Sequence, residues 1–344
     1  MSRRVRIAVV GATTLIGAAV LRELRAGRIP GAELHALDEA HALGRGGLED
    51  DDDESPALPL EDVERFDFER IDLALFCGRA AASERHAERV SRHAWVIDGS
   101  DRFRNREDVP LIAADVNPGA LENLGPTGLI ALPASASVAL ATALAPLDRQ
   151  VPLERVEVVT LHAVSGQGRA SVDELAGQTA ALLNGRPVRA GRLGEQIAFN
   201  VIPRVGDLEP GGESREERHL ARETARLLGR ALAVNCTAVR VPVFFGHSLA
   251  VHAAFSGALE LSAARALLQS GAGLTLVESS SDLVFPTPAT VAAAPDRVYV
   301  GRLRTDRTRD RALNFWVVAD NVRKCAAHNA VSVAQILVNS YRKI

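Results

Sequence analysis

The chain has 344 residues, 47% hydrophobic and 24% charged, with a formal net charge of −3; it has room for two well-filled cores of the ordinary soluble kind. So small a net charge provides no global field for nucleic acid or an anionic membrane. Cys77, Cys236 and Cys325 form an odd set without metal-ligand spacing, which argues against a disulfide framework or a metal site and favours a reduced, cytoplasmic setting. The basic residues are nearly all arginine, with lysine only at 324 and 343, a pattern better explained by coding bias than by a binding surface.

Arg3, Arg4 and Arg6 precede an apolar run from Ile7 to Leu21 that superficially resembles a secretory signal. The patterning switches from strand-like to helix-like across Gly11 and no cleavage site follows, so the run reads as folded structure. Val5–Val10 is a buried strand. Thr14–Arg25 is a helix, because Gly17, Val20, Leu21 and Leu24 recur at i, i+3, i+4 and i+7. Residues 32–38 (AELHALD), 71–78 (IDLALFCG) and 94–100 (AWVIDGS) are further strands, with a helix at Ala80–Arg92 between the last two. Continuous apolar strands alternating with helices predict a parallel sheet covered on both faces, one doubly wound nucleotide-fold half. The acidic run EDDDDE at 49–54 reads as a solvated loop, since like charges repel and cannot pack.

A strand at 130–132 then runs through Pro133 into small residues, IALPASASVAL, where a helix begins. Enzymes seat nucleophiles at such strand-to-helix turns, and Ser135 and Ser137 are either that or helix caps. Beyond this point come long, partly alternating strands: LERVEVVTLHAVSG, AVNCTAVRVPVFFG, SLAVHAAFSG, DRVYVGRLRTD and LNFWVVADNV. Helices are predicted around 171–184, 214–231 and 262–270, and the C-terminal AAHNAVSVAQILVNSYR is amphipathic. This is the pattern of an α+β unit with a largely antiparallel or mixed sheet.

Three constellations carry chemistry. GATTLIG at 11–17 sits between strand and helix as a dinucleotide turn does, with Thr14 in place of the middle glycine and crowding the phosphate path. Thr13 and Thr14 instead offer hydroxyls and amides at a helix N-terminus; the turn either binds a cofactor or serves the fold alone. At the end of the second strand, Asp38 and Glu39 suit a ribose 2′-hydroxyl and repel a 2′-phosphate, so NAD fits better than NADP. Finally, RVPVFFGHS places Arg240 and His247 at opposite ends of one segment, and SREERHLARET opens with Ser214 and Glu217 at capping-box spacing.

Taken in order, VVGATTLIG, DGSDRFR, PLIAADVNP, IALPASAS, SGQGRAS, SREERHLARET, RVPVFFGHS and VADNVRKCAAHNAV resemble the aspartate-semialdehyde dehydrogenase family along essentially the whole chain. The resemblance implies a Rossmann-type NAD(P)-binding domain at 1–132 closed by 325–344. It implies an α+β dimerisation and substrate-binding domain at 133–324, and a homodimer. The implied chemistry is NADP-linked and phosphate-dependent. A thiolate adds to the aldehyde, hydride leaves to the nicotinamide, and phosphate attacks the thioester to give an acyl phosphate. By the resemblance Arg240 binds the substrate carboxylate, His247 is the acid/base, Arg104 binds phosphate or a substrate anion, Glu216 binds the substrate amine, and Asn321 lies at the nicotinamide end. Gly11, Thr13, Thr14 and Gly17 complete the cofactor set.

The nucleophile is where the chain departs. The family pattern resembles Ala-Asn-Pro-Asn-Cys-Ser-Thr, whereas this chain reads Ala131-Leu132-Pro133-Ala134-Ser135-Ala136-Ser137, with Ser135 at the cysteine position. A thiol near pKa ~8.5 is readily lowered toward neutrality; a serine hydroxyl needs a base to take its proton during attack, and its ester is a poorer acyl donor to phosphate. His162 replaces an active-site glutamine, His219 a phosphate-binding lysine, DEAHA the basic grip on the 2′-phosphate, and FCGRAAAS at 76–83 departs from the cofactor loop. The pattern resembles the Usg-type bacterial paralogue that lacks the catalytic cysteine. It predicts a pseudoenzyme with NADP or NAD binding weakened or lost and a small carboxylate as ligand. Its partners would be a second copy or an active paralogue, with neither nucleic acid nor membrane. Two alternatives stand beside it. One is a working oxidoreductase, in which Cys325, next to Lys324 and Arg323 at a helix start, supplies a displaced nucleophile. The other is a hydrolase built on Ser135 and His247.

Overall fold

The computed structural model describes residues 4–42, 58–78, 80–122, 124, 127–278 and 285–341; the acidic run at 49–54 lies outside them. The chain divides into two compact units, Met1–Pro133 with Ala326–Ile344, and Ala134–Cys325.

The first unit opens with β1 (Arg6–Val10), α1 (Leu15–Glu23), β2 (Glu33–Asp38), β3 (Leu60–Asp62), β4 (Leu73–Phe76), α2 (Ala80–Val90), β5 (Trp95–Asp98) and β6 (Gly128–Ala131). The strands form a six-stranded, wholly parallel sheet in the order β3-β2-β1-β4-β5-β6. That is the strand order of a doubly wound dinucleotide fold, with its switch point between β1 and β4. The apolar runs are continuous because both faces are covered: every residue of β4 and β5 is buried. The stripe on α1 buries Gly17, Val20 and Leu21, and Leu24 follows at the start of a π turn.

The second unit carries α3 (Ser135–Gln150), β7 (Leu153–His162), α4 (Arg169–Leu183), α5 (Arg215–Leu227), β8 (Ala233–Arg240), β9 (His247–Phe255), α6 (Leu261–Ser270), β10 (Leu274–Val277), α7 (Pro288–Val291), β11 (Val298–Thr305) and β12 (Ala312–Ala319). Its sheet is mixed, in the order β10-β11-β12-β9-β7-β8. β7 pairs parallel with β8 and antiparallel with β9, and β9 pairs antiparallel with β12. The partial alternation of β7 follows from one face being packed and the other open, since Val156, Val158, Thr160 and His162 are buried while Glu157 and Val159 are exposed. The Ser214–Glu217 spacing is a true capping box at the start of α5. Helix α8 (Asn329–Tyr341) returns to the first unit, where Asn329 accepts from the Ala114 amide at 2.8 Å and donates to the Ile112 carbonyl at 3.2 Å. Among the described residues no helix is long and apolar enough to cross a membrane.

Two strands escape the sequence patterning. β3 and β10 have three and four residues and lie at sheet edges, too short to establish a period.

Candidate active site

In the second unit the sheet topology gathers the polar residues at one edge. β7 and β8 run parallel and end side by side, His162 opposite Arg240. The antiparallel neighbour β9 begins there, so His247 stands at the same edge, opposite Ala319 at the end of β12. Asn321 lies two residues beyond β12 and is the hub. Its carbonyl accepts the Ser135 hydroxyl at 2.8 Å. Its side-chain Oδ1 accepts from the Gly246 amide at 2.9 Å, and its Nδ2 donates to Ser165 Oγ at 3.0 Å. One asparagine thereby joins the start of α3, the turn after β7 and the residue that precedes His247.

Ser135 is the first residue of α3 and half-buried, and it does not cap the helix: Ala134 holds the N-cap position without a side-chain bond. Ser137 is fully buried and its hydroxyl has no partner among the described residues. The amide of Ala134 donates to Glu223 Oε2 of α5 at 2.7 Å, which pins the turn that presents Ser135.

The edge is buried and carries a guanidinium. Arg240 is 4% exposed, and its guanidinium reaches the Ala163 carbonyl only at 3.5 Å. Burial lowers its pKa, opposed by the charge of Glu216 in the first turn of α5. The rings of His162 and His247 lie 4.6 Å apart. Burial and then the charge of Arg240 push His162 down to about 3. Burial, then His162 and Arg240, hold His247 well below its ordinary range. Both imidazoles are therefore neutral at physiological pH. His247 Nδ1 accepts from the Ala163 amide at 3.1 Å, so its one proton sits on Nε2. Its Nε2–H is a hydrogen-bond donor, and its Nδ1 lone pair is already used. The Ser135 hydroxyl donates to a main-chain carbonyl instead of an imidazole. A Ser135–His247 hydrogen bond, which a hydrolase dyad would use, is not among those formed by the described residues. A buried guanidinium is costly unless a negative charge lies near it, and here the Glu216 carboxylate acts on it.

In the first unit, the turn after β1 is held by its own side chains. Gly11 has φ +79, and a Cβ there would lie 2.6 Å from the Gly78 Cα, so only glycine lets β1 and β4 approach at the switch point. The Thr14 hydroxyl lies 2.8 Å from the Gly11 carbonyl and 3.0 Å from that of Cys77, donating between them, and accepts from the Gly17 amide at 2.9 Å. The Thr13 amide and hydroxyl both donate to Asp38 Oδ2, at 2.9 and 2.6 Å. This revises the expectation for the pair: neither hydroxyl is offered to an anion, because each is already used inside the turn. The first-turn amides of Leu15 and Ile16, which a helix cannot satisfy internally, remain at its mouth. Arg104, also in this unit, donates from Nε to the Leu132 carbonyl at 2.9 Å and from Nη2 to that of Gly99 at 2.7 Å, bracing the end of β6. Cys325, in the second unit, is 2% exposed.

Ser165 and Glu223 are the site residues that the sequence did not single out. Ser165 falls within a quoted segment, SGQGRAS, without a cue of its own. Glu223 has none, because its partner Ala134 is 89 residues away.

Residues 6–124 match the semialdehyde dehydrogenase NAD binding domain, and residues 144–324 match the semialdehyde dehydrogenase dimerisation domain. The aspartate-semialdehyde dehydrogenase of Legionella pneumophila is 37% identical, covering 99% of this chain and 98% of its own. The chain belongs to the aspartate-semialdehyde dehydrogenase family. Aspartate-semialdehyde dehydrogenase 2 of Vibrio cholerae is 36% identical over 99% of this chain and all of its own. The crystal structure of the Vibrio cholerae aspartate semialdehyde dehydrogenase II complexed with ASA superposes with a TM-score of 0.93 at 36% identity, over 99% of this chain and 100% of that one. Family membership accounts for the two units together: a parallel nucleotide-fold sheet in one and a mixed dimerisation sheet in the other.

Proposed function

We propose that this semialdehyde dehydrogenase family member is impaired in phosphorylating dehydrogenation, that it is a paralogue of the Usg type, and that it retains a small-carboxylate site. The observation that carries the reading is the pairing at Ser135: its hydroxyl donates to the Asn321 carbonyl, while the His247 imidazole has its acceptor nitrogen occupied by a main-chain amide. A hydroxyl without a base does not become a nucleophile at neutral pH. Arg240 binds the ligand's carboxylate, Glu216 its amine, and His247 holds a proton at Nε2 toward the ligand. The burial of Cys325 favours a packing role for that thiol over a catalytic one.

The match to an NAD-binding domain supports pyridine-nucleotide binding, which when bound supplies the hydride acceptor. The residues fit in part: the Leu15 and Ile16 amides suit a pyrophosphate, and Asp38 suits a ribose hydroxyl. The loss expected for the cofactor therefore falls on NADP. The dimerisation-domain match supports a homodimer. Exposed Phe199, Val201, Leu208 and Phe244 are apolar side chains of the kind a second copy or an active paralogue would cover.

The test is a paired measurement on the purified protein. Phosphate-dependent oxidation of aspartate semialdehyde with NAD or NADP is expected to be undetectable, while calorimetry with aspartate detects binding that Arg240→Met removes. Turnover that disappears in Ser135→Ala would overturn the impaired reading.

A further inference from the structure

Asp38 ends β2, at the place where a doubly wound fold receives the adenine-side ribose. Its carboxylate accepts three hydrogen bonds: Thr13 amide and hydroxyl on Oδ2 at 2.9 and 2.6 Å, and the Glu39 amide on Oδ1 at 2.9 Å. A carboxylate has about four acceptor positions, so among the described residues Oδ2 is filled and Oδ1 keeps one. The group is 9% exposed, and its three donors fix its orientation. The neighbouring Glu39 is paired with Arg85 at 3.0 Å, and Arg85 is also paired with Glu64 at 2.9 Å. Two carboxylates thus already share that cation.

We infer that Asp38 sets the cofactor choice of this chain, admitting NAD and rejecting NADP; this rests on the reading that the first unit binds a pyridine nucleotide. A ribose 2′-hydroxyl donates a proton to the remaining acceptor of Oδ1. A 2′-phosphate brings only acceptors and about two negative charges, against Asp38 and Glu39, with Arg85 already shared. The turn itself enforces the choice, because Thr13 holds the carboxylate in place and it cannot swing aside.

The measurement is calorimetric titration of the full-length protein with NAD and with NADP. NAD is expected to bind at least about tenfold tighter. Asp38→Asn keeps an acceptor oxygen but removes the charge, and narrows the ratio to about threefold or less. Glu39→Gln, which leaves the Thr13 contacts alone, moves the ratio in the same direction and keeps the test sound should Asp38→Asn fail to fold. Equal or tighter NADP binding by the unaltered protein overturns the role of Asp38 while leaving cofactor binding intact. Absence of binding by either nucleotide at about millimolar concentration removes the cofactor reading, and this one with it.

Discussion

The Ser135 hydroxyl and the Asn321 carbonyl are joined at 2.8 Å, and the bond ties the start of α3 to the segment just beyond β12. Asn321 also holds Ser165 and Gly246 through its side chain, and the Ser135 hydroxyl already has an acceptor.

Restoring the thiol is therefore not expected to restore the enzyme. Ser135→Cys should show no phosphate-dependent dehydrogenation above background, since His162, His219 and the Asp38–Glu39 pair are unchanged and His247 still has Nδ1 occupied. A coupled spectrophotometric assay with either nucleotide decides it. Turnover within about a hundredfold of a working relative, a deficit of about 3 kcal/mol in the barrier, would show that the thiol alone was missing.

Acid should destabilise the fold through its buried imidazoles. His162 is held neutral down to about 3 and His247 is likewise lowered, whereas in the unfolded chain both titrate near their ordinary 6.5. Below that value the unfolded state binds more protons, so stability is full above about pH 6.5 and falls on acidification by about 1.4 kcal/mol per pH unit for each imidazole. Urea unfolding at about pH 7 and about pH 5 should show this loss, and His162→Gln should make it shallower by about one proton. A midpoint that does not move over this range would contradict the buried, neutral pair.

Native thiols should be inert. Burial, helped by the charge of Asp98, pushes Cys77 up to about 12, and burial first among other causes does the same for Cys236; Cys325 is shielded by burial. Iodoacetamide at neutral pH should leave all three unmodified by mass spectrometry in the folded protein and label all three in denaturant. Rapid labelling of Cys325 alone would revive it as a displaced nucleophile.

The turn after β1 should be intolerant in two ways. Thr14→Ala removes the α1 cap and the hydroxyl that donates to the Gly11 and Cys77 carbonyls, at a cost of about 1–2 kcal/mol. Gly17→Ala is worse, because its Cβ would lie 2.1 Å from the Gly11 carbonyl and backbone must shift, costing about 3 kcal/mol or more. Thermal melts of the two variants should rank in that order; a Gly17→Ala protein melting with the unaltered one would mean that helix and strand are not so closely packed.

Local patterning was enough for the nucleotide-fold half. The stripe Gly17, Val20, Leu21 and Leu24 and the continuous apolar runs of β4 and β5 encode helix, strand and a sheet covered on both faces, because burial on one face or on two leaves its period in the chain. The capping box of Ser214 and Glu217 is equally local. The motif at 130–140 placed Ser135 at a strand-to-helix turn, and the structure has it as the first residue of α3. What Ser135 does there is a different matter, since its partner Asn321 is 186 residues away. The proton position on His247 depends on an amide 84 residues distant, and the fixing of Asp38 on a threonine 25 residues before it. A hydrogen bond depends on where two groups meet in space, and only the packed sheets bring β7, β8, β9 and β12 to one edge. Residue types at the site were legible in the chain; which of them donate, accept or titrate was decided by the tertiary fold.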